Sequence, residues 1–195
     1  MENTRERLIA AAAKLLDQGG PAAVTLRDVG RAAGVSHNAP YRHFADKDAL
    51  LAAVAARELA RQGANLDQVG ESRSDVQAML QGYVRWALRY PERFRLTFGR
   101  WDRDDAELGE AAGVARRGLT RAVAAAQARG ELPRGDPERL SSLLLALAHG
   151  AADLALAGHL SATGKGAAGA EDLVADLFGY LASSARRPGR RSPTA

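Results

Sequence analysis

Residues 24–51, V-T-L-R-D-V-G-R-A-A-G-V-S-H-N-A-P-Y-R-H-F-A-D-K-D-A-L-L, constrain the fold more than any other stretch. They specify two short helices joined by a tight turn, followed at once by the start of a third. Thr25 stands three residues before Asp28, a capping-box pattern, and Leu26, Val29 and Ala33 are the apolar positions of the helix it opens. Gly34 ends that helix where a left-handed residue is wanted, since glycine has no Cβ to clash. Val35 plugs the corner, and Ser36 is placed to cap a next helix predicted over residues 37–44. Gly30, with the small Ala32 and Ala33 nearby, lets the two helices approach closely. Pro40 has no amide hydrogen and is expected to forgo one bond at the limit of its first turn. Asp46 caps the following helix. Lys47 in its first turn opposes the helix dipole by about 0.3–1 kcal/mol, a placement that makes sense beside an external phosphate. The pattern is a helix-turn-helix, whose second helix enters the DNA major groove.

The run T-L-R-D-V-G-R-A-A-G-V-S, followed by P-Y-R-H-F-A-D-K-D-A-L-L, resembles the DNA-binding head of the TetR family of transcriptional regulators. The match spans roughly residues 5–54, and the Y-x-H-F-x-x-K-x-x-L-L block is its most specific part. The resemblance implies an all-α protein: a three-helix DNA-binding head over residues 1–47 and a helical ligand-binding and dimerisation domain over 48–185; the arginine-rich residues 186–195 are expected to form a basic, disordered tail. By resemblance and position, His37, Asn38 and Ala39 face base edges, with Arg27 reaching a base from the first helix of the pair. Tyr41, His43 and Lys47, with the capped start at Thr25, hold phosphates, and Ser36 and Arg42 complete the candidate set. The partner is then double-stranded DNA carrying a palindromic operator, bound by a homodimer.

Bulk charge adds nothing to that case. The chain of 195 residues has a formal net charge of +4, but residues 1–50 hold seven Lys/Arg against six Asp/Glu. The tail carries Arg186, Arg187, Arg190 and Arg191 with no acid, which equals the whole excess. The absence of cysteine excludes disulfides and thiolate metal sites. No apolar run is expected to reach membrane-span length, and the start M-E-N-T-R-E-R is no signal peptide, so the expectation is a cytoplasmic protein without a membrane partner.

In chain order, Asn3 and Glu6 can cap a first helix with Leu8, Ile9, Ala12, Leu15 and Leu16 as its stripe, ending at Gly19-Gly20-Pro21. The helix opened by Asp46 runs to about Leu66 and connects the head to the rest. Gly70-Glu71-Ser72 is a break, with Ser72 or Ser74 as the next cap. Residues 75–90 form a helix apolar on two overlapping faces, and Pro91 starts a short one. The combination Y-V-R-W-A-L-R-Y-P-E-R-F-R-L-T-F-G resembles the start of a C-terminal domain type found in TetR regulators. Helices over about 106–129, 136–156 and 170–185 follow, separated by Gly130 and a Gly/Ala-rich loop. No strand pattern competes.

No catalytic constellation is found, so an enzyme is not expected. His149 and Asp153 share a helical face without the second histidine and glutamate of a zinc peptidase. Asp102, Asp104 and Asp105 read as a solvated loop, and neither a metal nor a cofactor is called for. Met79, Tyr83, Trp86, Tyr90, Phe94, Phe98, Trp101 and His149 are candidates for a pocket taking a small, largely apolar effector. Displacement of the short helix after Pro91 would then tilt the connecting helix and change the spacing of two heads. Leu140, Leu144, Leu147, Leu154, Leu173, Leu177, Phe178 and Leu181 are candidates for a four-helix dimer interface, since their helices carry surplus apolar surface. The function expected is a ligand-responsive regulator, foremost a repressor, with an activator or ligand-independent regulator as the alternative. A helical enzyme without a recognisable catalytic motif is the remaining, least favoured alternative.

Overall fold

The structure, a computed structural model, describes residues 3–68, 72–101 and 105–185. Among them there is no strand. The helices are α1 (Thr4–Gly19), α2 (Leu26–Ala32), α3 (Ala39–His43), α4 (Lys47–Gln68), α5 (Arg73–Arg89), α6 (Pro91–Thr97), α7 (Ala106–Ala128), α8 (Pro137–Leu156) and α9 (Ala170–Ala185), with one 3₁₀ turn at Pro21–Ala23. The expected break at Gly70-Glu71, the acids Asp102 and Asp104, and the arginine tail lie outside the described residues. Two compact units emerge: Met1–Asn65 with Arg89–Arg116, and Leu66–Leu88 with Arg117–Ala195. The unit holding the head thus reaches past residue 47 to take in most of α4, all of α6 and the start of α7.

Local signals set the helix ends of the first unit. Asn3 Oδ1 accepts from the Arg5 amide at 3.2 Å and starts α1. Thr25 Oγ1 accepts from the Asp28 amide at 3.1 Å, the expected cap of α2, and donates to Asp28 Oδ2 at 2.7 Å, so Asp28 meets the Thr25 hydroxyl. Asp46 Oδ1 accepts from the Ala49 amide at 2.8 Å at the start of α4. Gly34 sits at φ +63°, the left-handed region. Leu8, Leu16, Val24, Val29, Phe44, Leu50 and Val54 fill the core between these helices. Leu96 and Trp101, from α6 and just beyond it, pack against the same cluster.

The second helix of the pair departs from expectation. It begins at Ala39 rather than His37, and no side chain caps it. Asn38, the residue before it, already has helical dihedrals (φ −87°, ψ −11°), whereas a side-chain cap needs extended backbone. The Ala39 amide instead donates to the Ser36 carbonyl at 3.0 Å. Pro40 is then the second residue of α3, where an amide has no partner within the helix, so the expected loss of a bond does not arise. Its ring meets α2: a Cβ built on Gly30 would lie 2.8 Å from Pro40 Cγ. Gly30→Ala should therefore force the two helices apart and lower stability by about 1–3 kcal/mol. Urea denaturation checks this, and an unchanged midpoint would show that the corner yields freely.

In the second unit, Ser72 and Asp75 form a reciprocal capping box before α5, with bonds of 3.2 and 2.9 Å. The Ser72 hydrogen bonds hold the Asp75 carboxyl below the usual carboxylate range. Asp136 Oδ1 accepts from the Glu138 amide at 2.9 Å and opens α8, with Pro137 as first residue. Gly130 (φ +72°) follows the end of α7. Val76, Leu80, Val84, Leu119, Val123, Leu144, Ala148, Val174 and Phe178 are buried, and so is Leu132 in the loop between α7 and α8. One correction concerns α8. It has 20 residues, and an 18-residue window within it has a mean hydropathy of 1.2, so by length and composition it does reach membrane-span size. Its apolar content serves two faces: Leu144, Ala148 and Ala152 are buried, while Leu143 and Leu154 are exposed.

Candidate nucleic-acid interface

The helix-turn-helix presents a polar rim over an apolar base. Val29, Pro40 and Phe44 are buried beneath it. Thr25, Arg27, Ser36, His37, Asn38, Tyr41, Arg42 and His43 are exposed around α2 and α3, and Ala39 and Lys47 are partly so. His37 and Tyr41 lie with ring centroids 6.0 Å apart and tilted, so the two rings share one side of the short helix. All ten residues of the candidate set are thus within the first unit, none of them in its core. For Thr25 the chemistry is narrower than expected. Its single hydroxyl proton is engaged by Asp28, so it cannot also donate to a phosphate while that bond stands.

Two contacts that hold this surface were not legible in the sequence. Arg7 of α1 donates from one nitrogen to the Ala33 and Gly34 carbonyls at 2.5 and 3.3 Å, securing the turn from behind. The Arg5 guanidinium lies 5.4 Å from the centroid of Phe44, at the end of α3, and also pairs with Glu107 of α7 at 2.5 Å. Either could have been a solvated arginine on an amphipathic helix, because nothing local distinguishes them.

The aromatic and histidine candidates divide between the units. In the second unit, Tyr83 Oη and His149 Nδ1 are 2.8 Å apart, linking α5 to α8. The Tyr83 ring is 6.1 Å from Trp86, and Met79 is half-buried on the same helix. Burial pushes the Tyr83 phenol well above its ordinary pKa, so it stays protonated and can donate to the imidazole. In the first unit, Tyr90 lies under the Arg93 guanidinium at 4.4 Å, and Phe94 packs on Phe98 at 5.7 Å. Phe94 is buried, and Trp101 is set against the head's core. Among the described residues no group of three His, Asp or Glu side chains is placed to hold a metal ion.

Comparison with known proteins gives this arrangement a family. A model of bacterial regulatory proteins of the tetR family matches residues 8–54, and a model of the tetracyclin repressor-like C-terminal domain matches residues 76–177. The chain belongs to the TetR family. A protein of unknown function from Rhodococcus sp. RHA1 is similar at 30% identity over 94% of this chain and 96% of that one, with a TM-score of 0.78. A TetR transcriptional regulator from the same organism shares 25% identity over 91% of this chain and 94% of its own, with a TM-score of 0.60. FadR from Bacillus subtilis, solved with stearoyl-CoA, has the same fold at 13% identity and a TM-score of 0.65, over 91% of this chain and 97% of its own. None of the curated proteins matches the chain. This TetR-family chain is a transcriptional regulator with a helix-turn-helix head, the DNA-binding class that its sequence implied.

Proposed function

We propose that this TetR-family regulator is a cytoplasmic repressor that binds a palindromic operator as a homodimer and is released by a small, largely apolar effector. The observation that carries the reading is the exposed rim of α2 and α3, where hydrogen-bonding side chains stand on a rigid apolar base. His37, Asn38 and Ala39 lead into α3 and read bases; Tyr41, Arg42, His43 and Lys47 hold phosphates, and Arg27 reaches in from α2. One such head covers a single half-site, so two on a two-fold axis read half-sites about 34–36 Å apart or a multiple of that.

A second copy has a surface to meet. Leu143 (62% exposed), Leu154 (47%) and Tyr180 (74%) project from α8 and α9. Leu140, Leu147, Leu173, Leu177 and Leu181 are half-buried beside them. A Cβ on Gly150 or Gly179 would meet nothing within 4 Å, so these helices have room for close approach by another pair. Leu144 and Phe178, expected at this interface, are each only 1% exposed. They belong to the protomer's own core, and Leu143 and Tyr180 take their places in the proposal. The effector is assigned to the second unit, around Met79, Tyr83, Trp86 and His149, where a paired hydroxyl and imidazole stand among apolar side chains. Stearoyl-CoA bound to FadR and resorcinol bound to RolR support small-molecule binding within this fold.

Mobility shifts with the DNA upstream of the chain's own coding sequence test the proposal. Lys47→Ala should weaken binding to all sequences alike and reduce the salt slope by about one unit, the effect of removing a single phosphate partner. Asn38→Ala should cost about 1–3 kcal/mol and relax preference at one base position. Identical salt slopes and sequence profiles for the two variants would show that the roles are misassigned.

A further inference from the structure

Arg93 lies on the seven-residue α6, yet it is engaged with two helices far away in the chain. Its Nε donates to Asp17 Oδ1 at 2.9 Å and a terminal nitrogen to Asp17 Oδ2 at 2.5 Å, a two-pronged contact with α1. The other terminal nitrogen donates to Glu58 Oε1 on α4 at 3.1 Å. Arg93 is 9% exposed and Glu58 3%. Burial works against the arginine's charge, but Asp17 and Glu58 outweigh it and hold its pKa above the ordinary value. A guanidinium suits this position because its five donors sit in a rigid plane and can serve two carboxylates at fixed angles; an ammonium is a point charge and cannot.

Apolar contacts alone would let α6 slide against the head, since dispersion is weakly directional. A buried ion group behaves differently. It adds little net stability, but any other arrangement strands a charge in a poorly solvated place, so one geometry is enforced. The helices joined here are α1, which backs the helix-turn-helix, α4, which carries Lys47, and α6, which follows α5 after the single residue Tyr90.

We propose that Arg93 is a positioning residue that couples α6 to the DNA-binding head through Asp17 and Glu58. Restraint of the head by DNA is then felt at α6, and by reciprocity a change imposed on α6 is felt in α1 and α4. Helix α6 moves with the head instead of slipping against it. The inference rests on the DNA-binding reading above.

Hydrogen exchange of the α6 amides tests it, measured with and without a mixed-sequence duplex of about 40 base pairs at low salt, where phosphate contacts alone support binding. The informative amides are those of Phe94 and Phe98, bonded to the Tyr90 and Phe94 carbonyls. In the wild type the duplex should slow exchange in the head and, by about fivefold or more, at α6. The double variant Arg93→Met, Glu58→Gln removes the ion group without stranding the Glu58 carboxylate, although the half-buried Arg57 loses the neighbouring Glu58 charge. It should bind the duplex as the wild type does, with protection confined to the head. Arg93→Lys keeps the charge, breaks the two-pronged arrangement, and should abolish most of the α6 response; it carries the same comparison if the paired variant does not fold by circular dichroism. A wild type that does not bind the duplex sinks the DNA-binding reading and this coupling with it. A wild type that binds while α6 is unaffected overturns the coupling alone. So does a folded variant whose α6 is slowed as much as the wild type's.

Discussion

Leu143→Arg and Leu144→Arg, adjacent on α8, are expected to fail in opposite ways. Leu143 is 62% exposed in the protomer, so an arginine there costs the folded chain almost nothing. In the proposed dimer the same guanidinium would be buried against a second copy without a counterion, which costs several kcal/mol and should shift the protein to monomer at micromolar concentration. Leu144 is 1% exposed and packs inside the second unit. Its arginine variant has nowhere to put the charge and should unfold or aggregate. Sedimentation and far-ultraviolet circular dichroism, run together, separate the cases. A Leu143→Arg protein that remains a dimer would remove this face from the interface, and a wild type that sediments as a monomer would remove the interface altogether.

Arg93→Met is expected to be among the most destabilising single changes to the first unit, at about 3–5 kcal/mol. The cost comes from what it leaves behind rather than from the bond it removes. Glu58, 3% exposed, would lose the guanidinium 3.1 Å away, while the Arg61 contact at 3.9 Å is made by a side chain largely in solvent and the neighbouring charge of Arg57 is itself disfavoured by burial. Asp17→Asn should cost less, because Asp17 is more open to solvent and the amide can still accept one hydrogen bond. Glu58→Gln should also cost less than Arg93→Met, since it leaves Arg93 its two-pronged contact with Asp17. Urea denaturation of the three variants checks the order. Equal effects of Arg93→Met and Glu58→Gln would mean that the Arg93–Glu58 contact carries no special weight.

Local and long-range interactions shape this chain in different ways. The all-α class, the helix-turn-helix, nearly every helix boundary and the family are legible in the amino-acid sequence alone. Those features depend on interactions three or four residues apart: Thr25 with Asp28, Asp46 with Ala49, Asp136 with Glu138, and the left-handed Gly34. Such signals are complete within one turn of chain and need no knowledge of the rest. Ser36 fits the motif of a side-chain cap by residue type, but the backbone of Asn38 is already helical there, and with that cap go the expected start at His37 and the expected lost bond at Pro40. Only the tertiary structure decided that Arg93 chooses Asp17 and Glu58, 76 and 35 residues away, from among the chain's carboxylates. It alone divided the aromatic series into Tyr83 and Trp86 in one unit and Tyr90, Phe94, Phe98 and Trp101 in the other. It also settled which side of α8 faces inward. A helix apolar on nearly its whole circumference has no periodicity to tell Leu143 from Leu144, and the choice falls to whichever face the neighbouring helices can pack against.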